Sequence, residues 1–231
     1  MMIIPLLAAL GLAHAASIDH DKVRPLPQTI PEGAQGELYL AYQPRLNVVN
    51  GCVPYPAVDA EGNTGAGLKP TGPTNSSCTT SEGQIYVRAR TDADSTRTAL
   101  MYSWYFPKDA ASPGSGHRHD WEGTIVWVSS PTSTSPENIE AVCPSAHGEW
   151  NCATKDEFSL DGTNPLIEYL SRWPLNHQMD LTEEVGVLQP LVAWESLEEG
   201  VLKPLAETDF GSAHLPLRDG NFAEDLDSAI Y

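Results

Sequence analysis

Three strand-like runs, each closed off by turn-forming residues, limit what this chain can fold into more than any other feature. Residues 84–90 set Ile85, Val87 and Ala89 against Tyr86, Arg88 and Arg90. Residues 98–106 read TALMYSWYF between Arg97 and Pro107, and 124–129 read TIVWVS. Alternation with a period of two, or runs of β-branched and aromatic residues, predicts strands. More are expected at 139–142, around 187–194 and near 201–202. Pro190 confines the second of these to a sheet edge, because it cannot donate to a ladder. Residues 37–49 read as helix or strand, and 165–169 as the start of a helix. At the C-terminus, Phe222, Leu226 and Ile230 recur every four residues, which predicts a short amphipathic helix over 221–230. Many short strands with turns between them imply a mainly β chain, a β-sandwich or barrel with peripheral helices.

Residues 1–16 contain no Asp, Glu, Lys or Arg, and an apolar run over 3–12 ends in Ala13-His14-Ala15-Ala16. This is the pattern of a secretory signal peptide, too short to remain as a membrane span. Residues 17–36, broken by Pro25, Pro27 and Pro31, form an arm, and 53–83 form a loop rich in Gly, Pro, Thr and Ser. Neither a repeat nor a linker divides the remainder, so 17–231 reads as one domain. In an exported chain the four cysteines predict disulfides. Of three connectivities, Cys52–Cys78 with Cys143–Cys152 is preferred, because each pair brackets a short, turn-rich stretch. No C-x-x-C spacing supports a cysteine metal site. Asn75-Ser76-Ser77 is a glycosylation sequon. A net charge of −18 argues against nucleic acid and against simple adhesion to anionic lipid. Membrane action must then rest on a specific head group or a bound cation.

The chemistry is concentrated between the second and third strands. Asp109, His117, Asp120 and Glu122 fall within fourteen residues, with Arg118 and His119 among them. Pro107, Pro113, Gly114 and Gly116 mark a turn-rich loop at the mouth of the β-scaffold. Carboxylates placed close together repel unless a cation sits between them. Oxygen-rich ligation favours calcium, magnesium or manganese over zinc. Carboxylates with ordinary values would hold such an ion down to about pH 4. The competing reading is an ion-pair network around Arg118 that ties a loop to the sheet. A second acidic stretch, Asp59, Glu61 and Asn63, lacks the downstream Glu of a calcium loop. No HExxH or GxSxG occurs, and no acid–base pair stands apart from the cation ligands. A metal-assisted hydrolase or lyase is therefore the alternative to a binding protein. Trp121 or Trp173 offers an aromatic surface to a ligand, with core packing the competing role for each. His20, His147 and His214 read as structural or solvent-facing.

YSWYFPKD at 102–109 followed by GHRHDWE at 116–122 resembles the necrosis- and ethylene-inducing-peptide-like proteins. GCVPYPAVDAEGNTGAGLKPTG at 51–72, WPLNHQM at 173–179 and LRDGNF at 217–222 extend the match over nearly the whole mature chain. The resemblance implies two antiparallel sheets with surrounding helices, like actinoporins and some fungal lectins. It implies a secreted, non-enzymatic cytolysin that permeabilises plant plasma membranes. Asp109, His117, Asp120 and Glu122 would bind calcium or magnesium at the bottom of a surface cleft. The receptor would be the sugar head of a glycosyl inositol phosphoryl ceramide. Arg118 and His119 would line or brace the cleft, and Trp173, Asn176 and His177 would reach it from a second segment. Some members carry Asp where this chain has Asn176. The segment 99–122 resembles the stretch that plant immune receptors sense, and the second cysteine pair marks a subgroup.

Overall fold

The structure, a computed structural model, describes residues 15–92, 97–172 and 174–231. Residues 1–14, most of the signal-peptide reading, and Trp173 lie outside the described residues. In chain order the elements are β1 (Ser17–Ile18), α1 (Ala34–Ala41), β2 (Arg45–Val48), β3 (Thr64–Gly65) and β4 (Ile85–Thr91). Then come β5 (Thr98–Ser112), β6 (Ser115–Val128), β7 (Ile139–Ala146), β8 (Glu149–Trp150) and β9 (Ala153–Thr154). The last are β10 (Leu160–Asp161), β11 (Asn164–Ser171), β12 (His177–Leu181), β13 (Leu191–Ala193), α2 (Glu199–Glu207) and α3 (Asn221–Ser228).

The larger sheet runs β13-β4-β5-β6-β7-β8, with β9 also on β7. The smaller runs β10-β11-β12, with β2 also on β11. Each is antiparallel apart from one parallel pairing, β13 with β4 and β2 with β11. The β13 strand begins one residue after Pro190 and lies at the sheet edge, as the missing N–H requires. Gln84 fastens the N-terminal arm and this edge together. Its side chain accepts from the Leu26 N–H at 2.7 Å and donates to the Pro190 carbonyl at 2.7 Å. The two sheets face each other over one aromatic core. There Phe106 of β5 stacks on Tyr169 of β11, ring centroids 3.8 Å apart and 6° from parallel. No helix among the described residues is long and apolar enough to cross a membrane.

Several local expectations are corrected. Residues 165–169 form part of β11, not a helix. The apolar run Pro165-Leu166-Ile167 is buried between neighbouring strands, and periodicity alone does not separate such a run from helix. Residues 201–202 lie in α2, not in a strand, with Val201 and Leu205 buried four residues apart. The ambiguous 37–49 stretch divides into helix α1 and strand β2. Finally, β5 and β6 extend well past their predicted ends. The acidic cluster therefore sits within a paired β-hairpin and not in an irregular loop.

Both disulfides join neighbours in the chain: Cys52 to Cys78 and Cys143 to Cys152. The second closes the hairpin of β7 and β8, where Ser145 pairs with Trp150.

Candidate functional site

Strict alternation along β6 would put His117 on the face opposite Asp120 and Glu122. The ladder is irregular there. Lys108 faces both Arg118 and His119, and His119 takes a left-handed φ of 60°. Such an irregularity re-aims side chains. Asp109, opposite His117 in the register, and His117 itself turn to the side of Asp120. One ligand atom from each of Asp109, His117 and Asp120 lies within 4.8 Å of the others. Glu122 lines the same cleft but stands outside this group of three.

The three are held by partners of their own. His117 Nδ1 lies 2.7 Å from the His119 carbonyl, so that nitrogen carries a proton. In the neutral ring the lone pair then sits on Nε2, 3.6 Å from the Asp109 carboxylate. This backbone-fixed tautomer is how metal-binding histidines are commonly oriented. Buried His177 donates from Nδ1 to Asp109 at 2.6 Å, and its backbone N–H reaches both Asp109 oxygens at 3.2 and 3.3 Å. Tyr169 donates its hydroxyl to Asp120 at 2.8 Å, and its ring stacks on His177. The Ser145 hydroxyl bonds to Glu122 and accepts from the Gly123 N–H.

Burial, then the charge of Asp109, pushes the Asp120 carboxyl well above the usual carboxylate range. Burial, then the charge of Asp120, does the same to Glu122. These acids are crowded in a dry place with no Lys or Arg among the residues lining the cleft. A divalent cation would relieve that repulsion, and the donor set of carboxylates with one imidazole fits a hard cation.

The cleft has a volume of roughly 350 Å³. Its far wall is the β7–β8 hairpin with the loop at 212–216. Trp150 lies close on β6 because Gly123 has no side chain: a Cβ there would meet the indole at 3.2 Å and the Tyr102 carbonyl at 2.8 Å. His147 and His214 line the same wall, and His214 bonds to Asp225 at 2.8 Å. Both histidines are exposed to solvent, and the sequence did not single out Trp150, Ser145 or Tyr169. The signal for the wall was the Cys143–Cys152 bracket around 145–150. Tyr169 is brought to the site only by packing of the second sheet.

Asn176 and His177 line the cleft. Arg118 and His119 do not line it; they brace the hairpin from the opposite face. Arg118 donates to the carbonyls of Ala66 and Gly67 at 2.7 and 3.0 Å. His119 packs with Tyr105 and Phe210, and Tyr105 Oη lies 2.6 Å from its Nδ1. Burial and the Arg118 charge push its imidazole down to about 4, so it is neutral near pH 7. Trp121 is also core, within 5.7 Å of the Tyr86, Tyr105 and Phe210 rings. Asp59 closes its own turn by accepting from Glu61 and Asn63, as a side-chain cap would. Asn75 is exposed in a turn, where a glycan could be attached.

Residues 36–229 match the family described as necrosis inducing protein (NPP1). NLP effector protein 2 of Phytophthora capsici is 44% identical over 217 residues, spanning 93% of this chain and 87% of that protein. Necrosis-inducing protein NPP1 of Phytophthora nicotianae is 40% identical over 225 residues, spanning 96% and 94%. Among solved structures, that of NLPPya in complex with mannosamine superposes with a TM-score of 0.86 at 42% identity, over 94% of this chain and 100% of that one. The non-toxic HaNLP3 protein gives 0.86 at 34% identity, over 91% and 98%. The two Phytophthora relatives are named as an effector and a necrosis-inducing protein, and a further similar structure as a toxin fold; none of these names is that of an enzyme.

Proposed function

This chain belongs to the necrosis inducing protein family, and we propose that it is an exported, non-enzymatic cytolysin acting on plant plasma membranes. Residues 1–16 serve as the signal peptide and 17–231 as the toxin domain. The cleft holds calcium or magnesium and takes the sugar head of a glycosyl inositol phosphoryl ceramide. One observation carries the reading: Asp109, His117 and Asp120 converge in a cleft with no Lys or Arg among the described residues that line it. The cleft volume falls in the range of about 300–1,000 Å³ typical of small-ligand sites. One relative, NLPPya, was solved in complex with mannosamine and with glucosamine, which supports a sugar in this cleft.

Asp109, His117 and Asp120 would hold the cation, with Glu122 beside them. When bound, it supplies the positive charge that keeps neighbouring carboxylates ionised and leaves positions for sugar hydroxyls. His177, Tyr169 and Ser145 fix the acids in place. Asn176 offers an amide to a hydroxyl, and Trp150 offers an aromatic surface to a ring. A cation here would also offset the chain's negative charge beside an inositol phosphate. Plant immune receptors would read the 99–122 segment. Residues 98–110 are buried in β5, so such reading follows unfolding or proteolysis.

Fold alone does not confer lysis, since a relative named non-toxic shares it. Leakage must therefore be measured directly, from vesicles with and without the glycosylated sphingolipid, in calcium, in magnesium and in chelator. The expected result is leakage only with both lipid and cation. Equal leakage without the sphingolipid would overturn the receptor, and release of free sugar would favour the hydrolase or lyase.

A further inference from the structure

The loop at 66–77 lies over the other face of the β5–β6 hairpin. Gly67, at φ 61°, packs so tightly there that a Cβ would meet the His119 ring at 2.7 Å and Arg118 Cγ at 2.9 Å. The Gly114 N–H at the hairpin tip donates to the Pro70 carbonyl at 2.8 Å. Between loop and hairpin runs a groove of roughly 320 Å³. Lys69, Lys108 and Arg118 line it together with Thr71, Ser76 and Ser77, and among the described residues no carboxylate does.

That composition stands out in a chain with 31 acidic residues and 13 Lys or Arg. The cations of other surfaces, such as Arg45, Arg88 and Arg90, are paired with aspartates. Among the described residues, none of the three groove cations has a carboxylate within 4.0 Å. Lys108 is only 2% exposed. Its ammonium donates to the Pro73 carbonyl and the Ser76 hydroxyl, both at 3.0 Å and both neutral. An ammonium carries three donors, so one remains. A buried charge is costly unless a counter-charge meets it, and none of the described residues supplies one.

We infer that this groove is an oxyanion site for a phosphate-class group. Lys108 supplies a fixed charge at its floor, Arg118 a planar fork on its wall and Lys69 a mobile charge at its rim. Those are the donors that phosphate oxygens require. The site is distinct from the cleft, although the two share a hairpin. Lys108 and Arg118 each adjoin a cleft residue in sequence, Asp109 and His117, and serve the opposite face. A free phosphate and a lipid phosphate present the same oxygens, so both sources must be tested.

Inorganic phosphate is titrated into the protein in chelator, at fixed ionic strength, and followed by backbone amide NMR. Saturable shifts are expected at 66–77, at Lys108 and at Arg118, with no shift when chloride replaces phosphate. Lys69→Glu, at an exposed position, should weaken binding about fivefold or more without moving the thermal midpoint. Vesicles of phosphatidylcholine with and without phosphatidylinositol 4-phosphate form the second arm. Capture by the phosphoinositide vesicles that Lys69→Glu abolishes assigns the site to a lipid phosphate. Binding of free phosphate alone assigns it to a soluble anion. Shifts scattered over the surface, shifts reproduced by chloride, or unchanged binding by Lys69→Glu would each overturn the site.

Discussion

The two faces of the β5–β6 hairpin draw on neighbouring residues of one stretch, yet they are held in opposite ways. On one face Trp121, Tyr105, His119 and Phe210 form an aromatic cluster with centroids 5.4–5.8 Å apart. Its stability comes from buried area and ring packing. On the other face Asp109, Asp120 and Glu122 are buried together, with burial and mutual repulsion raising the last two. That face costs the apo fold stability. Under the proposed function the seven residues GHRHDWE combine a structural task with a binding task. A mutation in them would then abolish lysis for either reason, and only a paired stability measurement separates the two.

The sharpest test sets one residue from each face side by side. Trp121→Ala should cost about 3–5 kcal/mol, as large-to-small changes at buried aromatics do. A melt followed by circular dichroism would show a midpoint lowered by roughly 2–4 °C per kcal/mol. A midpoint within a degree of wild type would mean that Trp121 is not core. Asp120→Asn should lower vesicle leakage roughly 100-fold or more, since direct ligands matter at least as much as their supports. In chelator its midpoint should equal or exceed that of wild type, because a buried charge is removed. Undiminished leakage by Asp120→Asn would remove the cation from this cleft.

The comparison also marks what was legible in the sequence. The strands were, because Ile85, Val87 and Ala89 alternate and 98–106 is rich in aromatics. The nearness of Asp109, His117 and Asp120 was legible too, from their density, whereas Glu122 lines the same cleft but stands outside that group of three. Their placement was not. Alternation puts His117 on the wrong face, and only the irregular pairing at Lys108 brings it round. Arg118 and His119 were grouped with the cleft for their nearness in sequence, but that same irregularity leaves them on the opposite face. Tyr169 and Trp150 come from distant strands, so no local pattern announces them. The apolar runs at 165–167 and 201–202 were too short for periodicity to choose between helix and strand.

Smaller effects should grade the ligands and their supports. Asp109→Asn should weaken calcium binding more than His117→Ala does, since it removes a charge where the other removes a neutral donor. Tyr169→Phe removes the bond to Asp120 and should weaken calcium binding about tenfold. Isothermal titration with calcium ranks the three. If His117→Ala proved the most damaging, a softer metal than calcium or magnesium would be the better fit.

The smallest effect is a slope of stability with pH, and it separates the faces most cleanly. A carboxyl whose folded value is raised binds its proton more tightly in the folded state. Its protonated form therefore favours folding, and that advantage is lost as pH rises from the unfolded value toward the folded one. For Asp120 and Glu122 the window opens near their ordinary values of 3.8 and 4.5 and extends upward. In chelator the midpoint should fall by a few degrees as pH rises through that window. Calcium should cancel the fall, because it stabilises the ionised pair and, at 100 times its Kd, adds about 2.7 kcal/mol. Proton competition should then begin to release the ion above the ordinary carboxylate value, because burial raises Asp120 and Glu122. Asp120→Asn should flatten the chelator slope, while Trp121→Phe on the aromatic face should leave it unchanged. Thermal scans from pH 4 to 8, with calcium and with chelator, read all of these at once. A wild-type slope that calcium does not alter would mean that the raised carboxyls simply stay protonated and bind no cation.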